Sequence, residues 1–237
     1  MYKRQDISVL NKLGLSIIIV HGGGPRINKE LEKFNIKPKF IKGLRVTDHE
    51  IIGIVESVLI SFNEDIIRSL KKNETDAVSI HTKNNNIIEV MPESKELGYV
   101  GIPYKINNDI LLNIVKENKV PIISPLGLGK NNQTFNINGD TAAMAIAKSL
   151  KSRRLLLMTN VDGVLNKEKK LIAEISSTEI LKKIENKTIS GGMIPKINAC
   201  LDANNGVTAV GIINGTKQHS CLWEIFSDKG SGTLIRK

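Results

Sequence analysis

The sequence predicts an α/β sandwich on a mostly parallel sheet. Two observations carry that prediction. Apolar runs without polar alternation, such as 15–20 and 120–124, suit strands covered on both faces. Helical stretches separate one such run from the next, the rhythm of βα units rather than of hairpins.

In chain order, 6–12 reads as the end of a helix stopped by Gly14, and 15–20 as a buried strand. Residues 25–34 form a short helix, 40–46 an extended segment, and 48–71 a long helix opened by Thr47-x-x-Glu50 as a capping box. Segments 77–81 and 87–90 read as strands around the polar loop Lys83-Asn84-Asn85-Asn86, and 98–106 is extended. A helix over 109–117, strands at 120–124 and 134–137, and an alanine-rich helix over 140–151 follow. The remainder reads as a strand at 154–158, a helix to about Asn186 capped by Ser176-x-x-Glu179, a helix over 193–203, a strand at 207–213 and a short one at 233–235. No internal repeat or low-complexity linker interrupts this order. The seam falls near 150–154, dividing the chain into 1–150 and 151–237.

Composition narrows the function classes. The chain has 237 residues, enough for a full core, with 41% hydrophobic and 24% charged residues, as in a soluble globular protein. No run reaches membrane-spanning length and no leader pattern opens the chain, so the expected location is the cytoplasm and no membrane partner is expected. Cys200 and Cys221 form neither a C-x-x-C pair nor a cluster with histidines, which argues against a structural metal or a disulfide framework. The net charge of +10 raises nucleic acid as a partner, but the lysines are scattered and aromatics reach only 4%. That is too little for a phosphate-tracking patch with stacking platforms, so no nucleic-acid partner is expected.

The chemistry-bearing segments lie at strand-to-helix junctions. In Val20-His21-Gly22-Gly23-Gly24-Pro25 the glycines let bare N–H groups approach a ligand, and Pro25 suits the first turn of the helix that follows. A helix N-terminus favours anions; a tight turn without ligand is the alternative at this point. Arg45, in Gly43-Leu-Arg45-Val-Thr47, stands where a guanidinium can grip a carboxylate bidentately, or simply face solvent. Asn136-Ile-Asn138-Gly-Asp140 places two amides and a carboxylate at another such turn, where Asn138 also suits a helix cap and Asp140 the helix dipole. Gly191-Gly192-Met193-Ile194-Pro195-Lys196 puts a lysine in a first helical turn, electrostatically misplaced unless an anion compensates it or solvent screens it. Familiar nucleotide and hydrolase signatures are missing: there is no G-x-x-x-x-G-K-[ST], no G-x-G-x-x-G after a strand, no H-E-x-x-H and no G-x-S-x-G.

In order and wording these segments resemble the acetylglutamate kinases of the amino-acid kinase superfamily over nearly the whole chain. The resemblance rests on 20–25, 43–47, Leu97-Gly-Tyr-Val-Gly101, Pro121-Ile-Ile-Ser-Pro125, 136–143, Thr159-Asn-Val-Asp-Gly-Val164, 192–196 and Gly232-Thr-Leu-Ile235. It implies a three-layer αβα sandwich, with residues 1–150 binding the amino acid and mediating dimerisation and 151–237 binding ATP. It further implies ATP-dependent phosphorylation of the side-chain carboxylate of N-acetyl-L-glutamate in arginine biosynthesis, with Mg²⁺ held mainly through the phosphates. Carried over by position, Gly22, Gly23 and Gly24 would bind substrate and the transferring phosphoryl group, while Arg45, Asn136 and Asn138 would hold the amino acid. Asp140 and Lys196 would be catalytic, Asp140 by positioning lysines and Lys196 by stabilising phosphate charge. Thr159, Asn160, Val161, Asp162, Gly163, Val164, Leu165, Gly192 and Met193 would line the nucleotide. The stretch 219–232 resembles the arginine-inhibited branch, which makes arginine an expected effector; a homodimer is the expected assembly.

Three departures accompany the resemblance. The family opens with a strand ending in Lys-x-Gly-Gly, and no such motif occurs here; the expectation is a chain lacking that strand, with reduced or no activity. Asn160 stands where relatives more often carry an acid, and 79–86 replaces a more glycine-rich stretch. A carrier-linked aminoadipate kinase and a non-catalytic regulatory paralogue therefore stay open as alternatives.

Overall fold

A computed structural model of the protein describes residues 2–186, 188–189, 193–203 and 206–236. The chain divides into two compact units, one of residues 11–142 and one combining 1–10 with 143–237. The division falls eight residues ahead of the seam read from the sequence, within a helix, and the opening residues belong to the later unit, in which Asp6, on α1 (Tyr2–Lys12), accepts from His219 Nδ1 at 2.7 Å.

The 11–142 unit begins with β1 (Ile19–Val20), α2 (Gly24–Lys33), the hairpin of β2 (Phe40–Ile41) and β3 (Leu44–Arg45), and α3 (His49–Lys71). It continues through β4 (Ala77–Ile80), β5 (Ile88–Pro92), β6 (Gly101–Ile106), α4 (Asn108–Lys116), β7 (Val120–Ile123), β8 (Leu126–Leu128) and β9 (Thr134–Asn136), and reaches the start of α5 (Gly139–Ser149). Its first sheet, ordered β1-β7-β4, is parallel throughout. Of the apolar run before the glycines only Ile19 and Val20 pair, so β1 is shorter than the sequence predicts. A second sheet, ordered β6-β5-β8-β9, is antiparallel at its outer pairs and parallel only between β5 and β8. Ile27 and Leu31 of α2 pack against Ile51, Val55 and Leu59 of α3 and Leu126 of β8, burying the apolar stripes of both helices.

Helix α3 starts one residue later than its sequence signature predicts. Asp48 is the N-cap, its carboxylate accepting from the Glu50 and Ile51 N–H groups at 3.1 and 2.9 Å. Thr47, buried, instead donates its hydroxyl to the Arg45 carbonyl.

The other unit carries β10 (Arg154–Thr159), β11 (Glu174–Ser176), α6 (Ser177–Glu185), α7 (Met193–Ala203), β12 (Ala209–Asn214), α8 (Ser220–Phe226) and β13 (Thr233–Arg236). Its sheet runs β10-β12-β13-β11, with β10 and β12 parallel and β13 antiparallel to β12. Leu155, Leu157, Val210 and Ile212 meet Ile180 of α6 and Ile197 and Cys200 of α7 in one core. Ser176 and Glu179 form the capping box the sequence predicts. Parallel strands, crossover helices and helix-covered sheets make this an α/β fold. Among the described residues no helix is long and apolar enough to cross a membrane.

Candidate active site

The 11–142 unit gathers its chemistry at the C-terminal edge of its parallel sheet, where open α/β sheets bind ligands. Strand β1 ends at Val20 and the chain passes through His21, Gly22 and Gly23 into α2. Neither Gly22 nor Gly24 has a positive φ, and a methyl group built on either would meet nothing within 4 Å. Backbone conformation and packing therefore leave room for alanine at both positions, so neither accounts for glycine there. Gly23 differs, since a methyl there would run into Leu59 Cδ2 at 2.5 Å. Among the described residues no protein acceptor takes the N–H of Gly22, Gly23 or Gly24.

A second helix start lies against this turn. Asn138 caps α5, its Oδ1 accepting from the N–H of Asp140 at 3.0 Å and of Thr141 at 3.2 Å. A methyl on Gly139 would touch Gly22 Cα and the His21 carbonyl, each at 3.7 Å. The N-termini of α2 and α5 thus stand side by side, each an end that favours anions. Asp140, half-buried in the first turn of α5, brings a carboxylate to the same corner.

Arg45 closes the other side. It is 8% exposed; its Nη2 donates to Asn28 Oδ1 at 2.6 Å and to the Gly24 carbonyl at 3.4 Å, while its buried Nη1 has no partner. Phe40 lies under the guanidinium at 4.8 Å. Burial lowers the Arg45 pKa from its ordinary value, and an arginine stays cationic regardless. A buried guanidinium with a spare donor can accept an anion such as a carboxylate as partner. Asn136 joins the same strip by donating from Nδ2 to Thr47 Oγ1 at 3.3 Å, and its N–H bonds the Tyr99 carbonyl at 2.9 Å. Gly98 permits that arrangement, with φ +68 and a would-be methyl that would run into the Thr47 carbonyl. Gly22, Gly23, Gly24, Arg45, Asn136, Asn138 and Asp140 accordingly sit on one connected surface of this unit.

In the other unit, β10 and β12 end together, Thr159 opposite Asn214. The loop that follows β10 is pinned at Asp162, which accepts from Asn214 Nδ2 at 2.8 Å and pairs with Lys217 at 2.9 Å. Those two bonds, Asn214 first, hold the Asp162 carboxyl below the usual carboxylate range. Asn160 and Val161 are exposed on this loop, and Leu165 is half-buried. The Val164 side chain belongs to the core, and its N–H goes to Thr233 Oγ1 at 2.8 Å. Gly163, at φ +146, takes the turn between them. Met193 opens α7 and packs partly on the core, while Lys196 is half-buried in its first turn. Gly192 lies outside the described residues.

Sequence reading alone did not single out Asn28, Ser124, Asn63, Asn214 or Lys217. Ser124 lies within the Pro121–Pro125 motif, a signal that was present but pointed to no role.

Comparison with known proteins decides the family. The model of the amino acid kinase family matches residues 4–214. An acetylglutamate kinase from Pelagibacter ubique is 58% identical over 98% of this chain and 81% of its own length. The chain belongs to the acetylglutamate kinases of the amino acid kinase family. Solved structures agree with that placement. The crystal structure of smu.665 from Streptococcus mutans UA159 superposes with a TM-score of 0.87 at 30% identity, covering 98% of this chain and 91% of that one. Carbamate kinase from Giardia lamblia bound to AMP-PNP, at 18% identity, shares the fold with a TM-score of 0.73 over 99% of this chain and 87% of that one. Membership makes the chain a kinase, with ATP the expected phosphoryl donor, and turns the open glycines and the unpartnered Arg45 donor into candidate ligand contacts.

Proposed function

We propose that this acetylglutamate kinase relative transfers the γ-phosphoryl group of ATP to the side-chain carboxylate of N-acetyl-L-glutamate, forming an acyl phosphate for arginine biosynthesis. The observation that carries the reading is the pairing of open glycines at 22 and 24 with the unpartnered, buried Nη1 of Arg45, 3.4 Å from Gly24 through its Nη2. One end of that surface offers main-chain donors for a phosphoryl group, the other a cation for a carboxylate.

The acceptor is an ionised carboxylate at neutral pH, so no general base is required; the protein has to align two anions and neutralise charge on the moving oxygens. Arg45 takes the α-carboxylate, Asn136 and Asn138 orient the amide end, and Gly22 to Gly24 together with the α2 and α5 N-termini stabilise the phosphoryl oxygens. Asp140 orders lysine ammonium groups. In the other unit, residues 159–165 and 192–193 cradle the nucleotide, and Lys196 neutralises phosphate charge. Mg²⁺, held mainly through the ATP phosphates, would supply charge neutralisation there. In the same reading the lobe of 1–150 binds the amino acid and mediates a homodimer, and arginine acts through 219–232, where Glu224 and Ser231 are joined at 2.7 Å.

The test is ATP-dependent hydroxamate formation with N-acetyl-L-glutamate set against N-acetylated and carrier-linked aminoadipate. Preference for the glutamate is expected; preference for either aminoadipate would move the chain to the related lysine-pathway chemistry. Saturable N-acetylglutamate binding without turnover would mark a regulatory paralogue. Light scattering and an arginine titration check the dimer and the effector.

A further inference from the structure

We propose that His21 is a positioning residue that fixes the Gly22–Gly23 peptide so that the Gly23 N–H faces the transferring phosphoryl group. The inference rests on the kinase reading above and goes beyond it, because His21 touches neither substrate in that reading. His21 stands at one end of a buried chain of hydrogen bonds that runs through Ser124 to Asn63.

Asn63 Nδ2 lies 2.8 Å from the Ile122 carbonyl, which can only accept, so that nitrogen is placed without ambiguity. The same nitrogen donates to Ser124 Oγ at 3.1 Å, and Asn63 Oδ1 accepts from Ser79 Oγ at 2.9 Å. Ser124 is thereby left with its own proton to give. Its two acceptors are His21 Nε2 at 3.2 Å and the Leu59 carbonyl at 3.4 Å.

On the far side of the ring, His21 Nδ1 stands 3.0 Å from the Gly22 carbonyl. A carbonyl cannot donate, so Nδ1 carries the proton and Nε2 of the neutral ring is the acceptor for Ser124. Burial, with Arg26 nearby, holds the His21 pKa down at about 4 against the Gly22 hydrogen bond, which keeps the ring neutral at working pH. The groups around it are consistent with that state: Phe62 of α3 packs edge-on at 5.0 Å, and Arg26 of α2 lies over Phe62 and is paired with Asp65 of α3. Relay and burial together select one tautomer.

The consequence falls on the main chain. In a planar trans peptide the carbonyl and the following N–H point in opposite directions. Anchoring the Gly22 carbonyl to His21 turns the Gly23 N–H the other way, and no protein acceptor among the described residues takes it. Glycine on both sides of this peptide, at 22 and 23, adds no side chain of its own to fix its rotation, so an external anchor is what pre-aims the donor. A donor aimed in advance adds most to a transition state.

The test compares His21→Phe, His21→Asn and His21→Gln by kcat, by KM for both substrates and by melting temperature. Asparagine places an amide donor near the Nδ1 position, whereas glutamine reaches the Nε2 position and Ser124 only. His21→Phe and His21→Gln are expected to lower kcat by about tenfold to hundredfold with the N-acetylglutamate KM changed by less than about threefold, and His21→Asn to recover most of the loss. Equal impairment of the asparagine and glutamine variants, or unchanged kcat in either folded His21→Phe or His21→Gln, would overturn the proposal. The imidazole ¹⁵N spectrum reads the tautomer whether or not the chain turns over: Nδ1–H with a bare Nε2 at pH 7 is expected, and the opposite tautomer or an imidazolium would overturn it. A wild-type chain with the expected tautomer but no acyl phosphate would instead count against the kinase reading.

Discussion

Gly139 rests against Gly22, close enough that a methyl group on the first would contact the α-carbon of the second at 3.7 Å. That contact joins two strand-to-helix turns 117 residues apart in sequence and brings two helix N-termini, ends that favour anions, to one corner.

The corner predicts a separation of stability from activity. Alanine at Gly22 or Gly24 meets open space at a permitted φ, so the melting temperature should hold or rise, by up to about 1 kcal/mol in stability, as the unfolded chain loses freedom. Phosphoryl transfer should nevertheless fall about tenfold or more, because the methyl stands where the ligand approaches. Gly23→Ala should destabilise the fold by about 1–3 kcal/mol through Leu59. Melting curves and hydroxamate assays on the three variants check this; full activity in the Gly22 and Gly24 variants would refute the ligand explanation for those glycines.

Arg45 should act on binding. Removing its unpartnered Nη1 with the rest of the guanidinium in Arg45→Ala is expected to raise the N-acetylglutamate KM about tenfold or more, with a smaller change in kcat. Arg45→Lys should not restore it, since an ammonium cannot reproduce the planar fork. Steady-state kinetics with varied N-acetylglutamate decides, and a kcat-only effect would reassign Arg45.

Lys196 should act on the chemical step. Lys196→Ala is expected to lower kcat by about tenfold or more while leaving the amino-acid KM close to wild type. Unchanged turnover in this variant would remove its catalytic assignment.

His21 also makes stability depend on pH. Its pKa is lowered from 6.5 to about 4 in the folded chain by burial, so the unfolded state binds the proton first. Stability is present above pH 6.5 and is lost as pH falls from there towards 4, by an upper bound of about 3 kcal/mol. His21→Phe should flatten that part of the profile in urea titrations at pH 7.5 and pH 5; an unchanged slope would contradict the buried neutral imidazole.

Local signals in the sequence were dependable where the interaction is itself local. Ser176 and Glu179 cap α6 through bonds spanning three residues, and Asn138 caps α5 in the same way. The α3 start shows where such reasoning slips: Thr47-x-x-Glu50 has the right spacing, but Asp48 offers the stronger acceptor and Thr47 is drawn to the Arg45 carbonyl. The antiparallel pairs β5–β6 and β8–β9 were likewise out of reach, because helical alternation along the chain says nothing of which short strands find each other across a turn.

By itself the sequence determined the alternation of strands and helices, the glycine junctions, the capped helix starts and the family resemblance, all of them written in residues a few positions apart. Only the tertiary structure decided that Gly139 meets Gly22, that Arg45 is buried with one donor unpaired, and that Ser124 and Gly22 dictate the His21 tautomer. Those outcomes depend on partners brought together by burial and sheet pairing over long stretches of chain, and the energy of each is set by the desolvated surroundings that folding creates.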